Sequence, residues 1–143
     1  MAESSEFVKE NAERHVSSAE ELQTGLRTLR AGEVDAVFEV SDALVQTHDQ
    51  LVIDTAVVKK LPTMFIARNS VLKGGLANYS VSRHEVGRVS AKYVQRILTG
   101  VKPKDLPVEG VDKIALIINL KTAKQIGLTI PPNVLVRADQ VIK

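Results

Sequence analysis

The sequence predicts an α/β domain: a three-layer sandwich in which helices cover both faces of a mostly parallel sheet. Two observations lead to this prediction. Helical and strand patterns alternate along the chain, and successive strands are far enough apart for right-handed crossover connections. In addition, the strand candidates carry apolar residues on both faces, which is typical of strands covered on both sides.

The first helix is expected to begin after Ser18. Ser18 and Glu21 have the spacing of a capping box, in which each side chain accepts a hydrogen bond from the other residue's backbone N–H. Gly32 is expected to end this helix. Its apolar face would carry three leucines at helical spacing, Leu22, Leu26 and Leu29.

Four strands are expected in the remainder of the chain. They cover residues 34–40, 62–67, 76–81 and 113–118, the last of these being nearly all apolar. Ser41 and Asp42 are expected to end the first strand and to cap the next helix. That helix would carry a stripe formed by Leu44, His48, Leu51, Val52 and Thr55.

Three further helical segments are expected. A short turn covers residues 69–73, and a long helix covers residues 83–99 and is closed by Gly100. Near the C-terminus, Asn119 can cap a helix that ends at Gly127 in the left-handed conformation. The prolines at 131–132 prevent its continuation but allow a new first turn.

The composition limits the possible functions. At 143 residues, with 44% hydrophobic and 25% charged residues, the chain is typical of one soluble globular domain. The net charge is +2, the basic residues are scattered and aromatic residues make up 3%, so the sequence argues against nucleic acid as a partner. The absence of Cys excludes disulfides, thiol chemistry and Cys-ligated metals.

Ligands in open parallel sheets bind at the carboxyl ends of the strands. Ser41 and Asp42 follow the first strand, and either could accept a hydrogen bond from a ligand ammonium or hydroxyl. Asp42 is equally well explained as a helix cap, and both roles are compatible because one oxygen can cap while the other binds. Arg68 follows the second strand, where it is either a clamp for a ligand carboxylate or a solvated arginine. Asn69 is expected to cap a helix as well.

The third strand supplies further candidates. Tyr79 is expected either to stack on a ligand and close a cleft or to lie in the core. Ser80 is its polar neighbour at the same strand end. Gly75 precedes this strand, in a Gly-Gly pair where backbone freedom is needed. With Ser41, Asp42, Arg68 and Asn69, these three residues form the predicted ligand-binding set.

The sequence gives no reason to expect an enzyme, a cofactor or a metal site. His15, His48 and His84 lack metal-ligand spacing with acidic partners. The sequence around Lys73 lacks the spacing of a phosphate-binding loop, and no nucleophile elbow or pair of catalytic acids is present. No catalytic residue is therefore predicted.

Four segments together resemble one protein family. They are residues 34–38 (Val-Asp-Ala-Val-Phe), 74–80 (Gly-Gly-Leu-Ala-Asn-Tyr-Ser), 100–109 (Gly-Val-Lys-Pro-Lys-Asp-Leu-Pro-Val-Glu) and 118–142, which begins Ile-Asn-Leu-Lys-Thr-Ala-Lys and contains Gly-Leu-Thr-Ile-Pro-Pro. These segments resemble substrate-binding proteins of bacterial ABC importers, of the tryptophan/tyrosine type. Asn78 stands where this family usually has Ser, and Ser80 where it usually has Gly.

The resemblance implies one lobe of a type I periplasmic-binding-protein fold. Residues 16–143 would be the C-terminal ligand-binding lobe, and residues 1–15 an N-terminal extension or a remnant. The ligand would be a small polar molecule, such as an aromatic amino acid, held in a cleft that closes about a hinge between two lobes. The implied partners are a missing N-terminal lobe and an ABC permease. The parent protein would be periplasmic, or extracellular and membrane-anchored, although residues 1–15 lack the pattern of a signal peptide.

Two alternatives and one further expectation accompany this interpretation. A cytosolic sensory module of a transcriptional regulator or signalling protein would share the same fold. A flavodoxin-like or receiver-type domain is disfavoured because the acidic pair and the late strand-end lysine of a receiver are not found. The long helix at 83–99 carries a wide apolar stripe, which a lone lobe would expose, so a homodimer is expected through this helix. Alternatively, the helix folds back on its own sheet with Val86, Val89, Tyr93 and Ile97 facing inward.

Overall fold

The computed structural model describes residues 12–30 and 32–143. Most of the predicted N-terminal extension at 1–15 therefore lies outside the described residues. The strands are β1 (Val37–Phe38), β2 (Thr63–Phe65), β3 (Ala77–Val81), β4 (Ile114–Asn119) and β5 (Gln140–Ile142). The helices are α1 (Ala19–Thr28), α2 (Ala43–Thr47), α3 (Asp49–Val58), α4 (Arg68–Leu72), α5 (Arg83–Leu98), α6 (Leu120–Ile126) and α7 (Pro132–Leu135), with a 3-10 turn at Pro103–Asp105.

The sheet has the strand order β1-β2-β3-β4-β5. β1, β2 and β3 run parallel, β4 is antiparallel to β3, and β5 is parallel to β4. The predicted α/β class with a mostly parallel sheet is thus confirmed. The carboxyl ends of β1–β3 and the amino ends of β4 and β5 consequently lie at the same end of the sheet, measured along the strand direction.

Two apolar cores use opposite faces of the sheet. The first joins α1 and α3 to Phe65 of β2, which is 1% exposed. The second joins α6 to Leu76 and to Ala77 of β3. The register pairs Met64 with Ala77 and Phe65 with Asn78, so Phe65 and Ala77 point to opposite sides. Helices on both faces were the prediction, and they are present.

Residues 113–118 were expected to form the last strand, but β5 follows at Gln140–Ile142. This strand has only three residues, which is too short for a clear alternating pattern. It is fixed to β4 partly by Asp139: the N–H of Asp139 donates to the Leu116 carbonyl at 2.8 Å, and the N–H of Leu116 donates to the Asp139 carboxylate at 2.8 Å. The antiparallel pairing of β3 with β4 was not predicted either.

The long connection between β3 and β4 explains this antiparallel pairing. A parallel crossover would pack its helix against the sheet, whereas α5 contains no buried residue. The expectation that its apolar residues face inward is therefore wrong for this structure. Val94 and Leu98 are 56% and 81% exposed. Among the described residues, every helix is too short or too polar to cross a membrane.

The first predicted helix has the expected cap but a different end. Ser18 accepts from the Glu21 N–H at 3.1 Å, whereas the Glu21 carboxylate accepts from the N–H and hydroxyl of Ser17, both at 2.8 Å, rather than from Ser18. The helix ends at Thr28, before Gly32, which lies in the following turn with φ +93°. The Nζ of Lys59 donates to the last carbonyls of α1, at Leu26, Arg27 and Leu29.

The predicted first strand and second helix are both shorter than expected. β1 covers only Val37–Phe38, and Phe38 is 66% exposed because β1 is an edge strand. Asp42 caps α2, as predicted. The helix is interrupted at His48, whose ring Nδ1 lies 2.9 Å from the Leu44 carbonyl, and α3 begins at Asp49.

Two caps near the site differ in outcome. Asn69 was expected to cap a helix, but α4 begins at Arg68 after Ala67, and Asn69 is the second helical residue. Asn119 caps α6 as predicted, since its side-chain oxygen accepts from the N–H groups of Lys121 and Thr122. Gly127 ends α6 in the left-handed conformation, as expected.

Candidate functional site

A cleft of about 410 Å³ lies at the sheet edge where the carboxyl ends of β2 and β3 meet the amino end of β4. This is the position at which ligands bind in α/β domains. Most of the residues that line it have polar side chains. The residues are Gln46, Asp49, Ile66, Ala67, Arg68, Asn69, Ser70, Lys73, Asn78, Ser80, Val81, Ser82, Arg83, His84, Ala115 and Ile117.

Two residues of β3 form part of the cleft wall. Asn78 is 2% exposed, and its amide donates to the Phe65 carbonyl at 2.9 Å and to the Ser80 hydroxyl at 3.0 Å. Asn78 pairs with Ile117 across the antiparallel ladder. These bonds hold the Ser80 hydroxyl in place at the cleft, next to the carboxyl end of β2.

Asp49 anchors the side of the cleft formed by α3 and α4. Its carboxylate accepts from the Ser70 hydroxyl at 2.9 Å and from the Lys73 ammonium at 2.8 and 3.0 Å. Burial acts to raise the pKa of Asp49, but the hydrogen bonds from Lys73 and Ser70 and the Lys73 charge together lower it. The Asp49 carboxylate therefore already has its hydrogen-bond donors and its opposite charge within the protein.

Two guanidinium groups line the cleft without an acidic partner. Arg68 donates to the side-chain oxygen of Gln140 at 3.1 Å, and Arg83 donates to that of Gln46 at 3.5 Å. In the part of the chain that the structure describes, neither arginine forms a salt bridge with a carboxylate. Guanidinium groups in this state are suited to bind a ligand carboxylate in a bidentate manner.

Glu39 is the anion at the carboxyl end of β1. It is 4% exposed, and neither carboxylate oxygen has a hydrogen-bond partner among the described residues. Burial, followed by repulsion from Asp49, raises the pKa of Glu39. The Ile66 N–H and the Arg83 charge act in the opposite direction and are outweighed.

Three of the seven predicted binding residues line the cleft: Arg68, Asn69 and Ser80. Arg68 and Asn69 lie in the first turn of α4, directly after β2, and Ser80 lies near the end of β3. The structure thus brings together candidates from the ends of two neighbouring strands, as expected for parallel strands.

The other four predicted residues are not part of the cleft lining. Ser41 is exposed beyond β1, and one oxygen of Asp42 accepts from the Leu44 and Val45 N–H groups. Gly75 is buried against the Phe65 ring. Tyr79 is 56% exposed, and because it alternates with Asn78 and Ser80 it lies on the opposite face of the sheet.

Sequence reasoning did not assign Glu39, Asp49 or Lys73 to the site. Asp49 and Lys73 are far apart in sequence, and a pair of this kind carries no local pattern. Glu39 did leave a signal, since it is an acidic residue between apolar neighbours in a strand. The structure buries this residue.

The fold and the cleft define a ligand-binding α/β domain with a polar, cationic recess at the ends of its parallel strands. The sequence matches the family model for ABC transporter substrate binding proteins over residues 10–142. The chain belongs to this family, and the resemblance predicted from the four sequence segments is confirmed.

Individual relatives agree with the family. A tyrosine-binding protein of Clostridioides difficile is 24% identical over 127 residues, which are 86% of this chain and 36% of the relative. An L-Trp complex of an ABC domain from Streptococcus pneumonia has a TM-score of 0.73 at 31% identity, covering 87% of this chain and 41% of that one. A conserved domain protein of Vibrio cholerae has a TM-score of 0.77 at 29% identity, covering 87% and 42%.

The relatives are longer than this chain. The ligand-free, open structure of a Clostridium difficile substrate binding protein with adhesive properties has a TM-score of 0.68 at 25% identity, and 92% of this chain covers 44% of it. The chain thus spans between 36% and 44% of the length of these four relatives.

Proposed function

We propose that this chain forms the C-terminal lobe of the solute-binding component of an ABC importer, and that it binds a small polar ligand without transforming it. The observation that carries the proposal is the cleft at the strand ends, where Arg68 and Arg83 form no salt bridge with any carboxylate of the described residues. The ligand lies between this cleft and a second lobe, and closure of the two lobes hides it from water.

The proposed ligand is an amino acid with an aromatic side chain. A guanidinium group recognises the carboxylate that all amino acids share. The named ligands of two relatives, tyrosine and L-Trp, support the aromatic side chain. No Phe, Tyr or Trp is among the described residues that line the cleft, so the second lobe is proposed to supply the main stacking surface for the ring.

The proposed partners follow from the same two-lobed arrangement. The closed form presents a surface to an ABC permease that the open form does not, and ligand binding shifts the population toward it. A protein of this kind acts in the periplasm, or outside the cell while anchored to the membrane.

Titration of the chain with L-tryptophan, followed by backbone amide shifts in NMR spectra, tests this function. We expect shifts confined to the cleft residues, with a dissociation constant no tighter than roughly millimolar, or about −4 kcal/mol. One wall of a cleft supplies only part of the contacts needed to offset the lost freedom of the ligand.

Two variants sharpen this test. Arg68→Gln removes a cleft guanidinium and should abolish the shifts, whereas Arg137→Gln removes an exposed arginine outside the cleft and should leave them unchanged. Micromolar binding by the chain, or equal effects of the two variants, would contradict the proposal.

A further part of the proposal concerns association through α5. This helix has exposed apolar side chains on several turns, among them Val86, Val94, Ile97 and Leu98. Tyr93 is less available, because its hydroxyl bonds to the Pro107 carbonyl and accepts from the Glu109 N–H at 2.8 Å. A second copy of the chain would cover this stripe and form a homodimer.

Light scattering over a range of protein concentrations tests the dimer. We expect the wild-type chain to reach twice the monomer mass and Ile97→Lys to remain monomeric, with its far-UV circular dichroism unchanged. Lys92→Met on the same helix serves as a control that removes a charge without interrupting the stripe. A wild-type monomer at high micromolar concentration would disprove the dimer.

A further inference from the structure

Glu39 lies in the same row of side chains as the cleft wall. Its N–H continues the parallel ladder by donating to the Met64 carbonyl at 3.0 Å, one step beyond the Phe38–Met64 pair. It therefore lies beside Phe65, which pairs with Asn78, and Asn78 pairs with Ile117. Residues in register share a face, so the Glu39 side chain projects from the same face as Asn78 and Ile117, which line the cleft.

The immediate surroundings of Glu39 connect it to the cleft. The Ile66 N–H and the Arg83 charge both act on its carboxylate, and both residues line the cleft. Asp49, the anion that raises the pKa of Glu39 most, is itself a cleft residue. The Glu39 carboxylate thus lies behind the cleft wall, within the electrostatic field of the cleft residues.

A buried carboxylate without hydrogen bonds is costly for a fold. The cation nearest to Asp49, Lys73, is already bound to it by two hydrogen bonds. Arg83 affects the pKa of Glu39 but forms no salt bridge with it among the described residues. Among the described residues, the Ile66 N–H and the Arg83 charge compensate Glu39 only in part, whereas a donor group of a bound molecule would add to that compensation.

We propose that Glu39 recognises a primary ammonium group of the ligand. The inference rests on the proposed solute-binding function and adds which side chain of this lobe binds the ammonium of the amino-acid ligand. In this proposal the Glu39 side chain turns toward Ile66 to reach the cleft, where the ammonium offers three N–H donors. Charge-assisted bonds of this kind are stronger than those between neutral groups.

The proposed ammonium subsite at Glu39 is distinct from the guanidinium subsite formed by Arg68. Arg68 follows β2 and contacts Gln140 at the β5 side of the sheet, whereas Glu39 follows β1 at the opposite edge. A ligand with separate anionic and cationic groups matches this division of charge. A ligand with only a carboxylate would use the first subsite and leave Glu39 unpaired.

Three indole compounds and one isosteric variant test the inference. Wild-type and Glu39→Gln chains are titrated with L-tryptophan, tryptamine and indole-3-propionate, and cleft amide shifts are followed by NMR. We expect Glu39→Gln to weaken the binding of L-tryptophan and tryptamine about tenfold. The affinity for indole-3-propionate should stay unchanged, since this compound has no ammonium. Glu20→Gln, an exposed acidic residue of α1, is the matched control and should bind all three as the wild type does.

The outcomes separate the inference from the proposed function. Unchanged binding of L-tryptophan and tryptamine by Glu39→Gln, with cleft shifts still present, would overturn the Glu39 assignment alone. The absence of cleft shifts with all three compounds in the wild type would overturn the proposed function and the inference with it. An equal loss of affinity of Glu39→Gln for indole-3-propionate would show that Glu39 shapes the cleft rather than binding the amine. This result would also overturn the assignment.

The stability of Glu39→Gln gives a second readout that is independent of any ligand. The pKa of Glu39 is raised, so the stability it contributes is present below pH 4.5, the ordinary value, and is lost as the pH rises through the raised value. We expect the melting temperature of Glu39→Gln to exceed that of the wild type increasingly over this window. Asp42, Asp49 and Arg83 remain in both proteins, and because they interact with Glu39, the comparison reports Glu39 together with these interactions.

Discussion

Lys73→Met is expected to lower the free energy of unfolding by about 2–3 kcal/mol at neutral pH. The substitution leaves the Asp49 carboxylate buried, with the Ser70 hydroxyl as its remaining side-chain donor. Removing one partner of a fully buried pair costs about 3–5 kcal/mol, because the other charge stays buried without compensation. The lower figure applies here because the Lys73 side chain is 49% exposed, and solvent screens part of the interaction.

The pH dependence of this effect has a definite direction. Because the pKa of Asp49 is lowered, its stabilising contribution is present above pH 3.8, the ordinary value, and is lost as the pH falls through the lowered value. Urea denaturation of both proteins between pH 7 and pH 3 should therefore show the difference shrinking in acid. Lys92→Met, an exposed lysine of α5, should stay within about 0.5 kcal/mol of the wild type. Equal losses in the two lysine variants would show that the Asp49 pair is not important for stability.

Gly75→Ala is expected to destabilise the fold by about 3 kcal/mol, near the upper end for overpacked cores. A Cβ atom at position 75 would lie 2.6 Å from Cε2 and 2.7 Å from Cδ2 of Phe65, and 3.0 Å from the Ser70 carbonyl oxygen. The Phe65 ring is 1% exposed and cannot move without disturbing the first core. Thermal and urea denaturation should both show the loss.

The chain offers a matched control for this substitution. Gly87 lies within α5, and a Cβ atom there would meet no other atom within 4 Å. Gly87→Ala should therefore raise the stability by up to about 1 kcal/mol, as expected for a glycine inside a helix. If Gly75→Ala were as harmless as Gly87→Ala, the close packing between residue 75 and Phe65 would be wrong.

The sequence predicted well those features that depend on only a few adjacent residues. The caps at Ser18, Asp42 and Asn119 depend on one side chain and the next two or three N–H groups. The left-handed end at Gly127 depends on one residue. All four positions were correct, whereas the cap expected at Asn69 was wrong because α4 already begins at Arg68.

The features that were missed depend on neighbours distant in sequence. The antiparallel β3–β4 pair arises because α5 does not pack on the sheet, which its apolar stripe could not indicate. In the site, Arg68 and Ser80 were found because each follows or ends a strand. Asp49 was not, because its role depends on Lys73, 24 positions away in the chain.

The exposed helix α5 has a mechanical consequence for the cleft. The first residues of this connection, Ser82, Arg83 and His84, line the cleft, while the rest of the helix is free of the two cores. The same helix thus begins in the cleft lining and extends away from both cores. A partner that bound along α5 and moved it would also move Arg83, so contacts on the helix and contacts in the cleft would share one element.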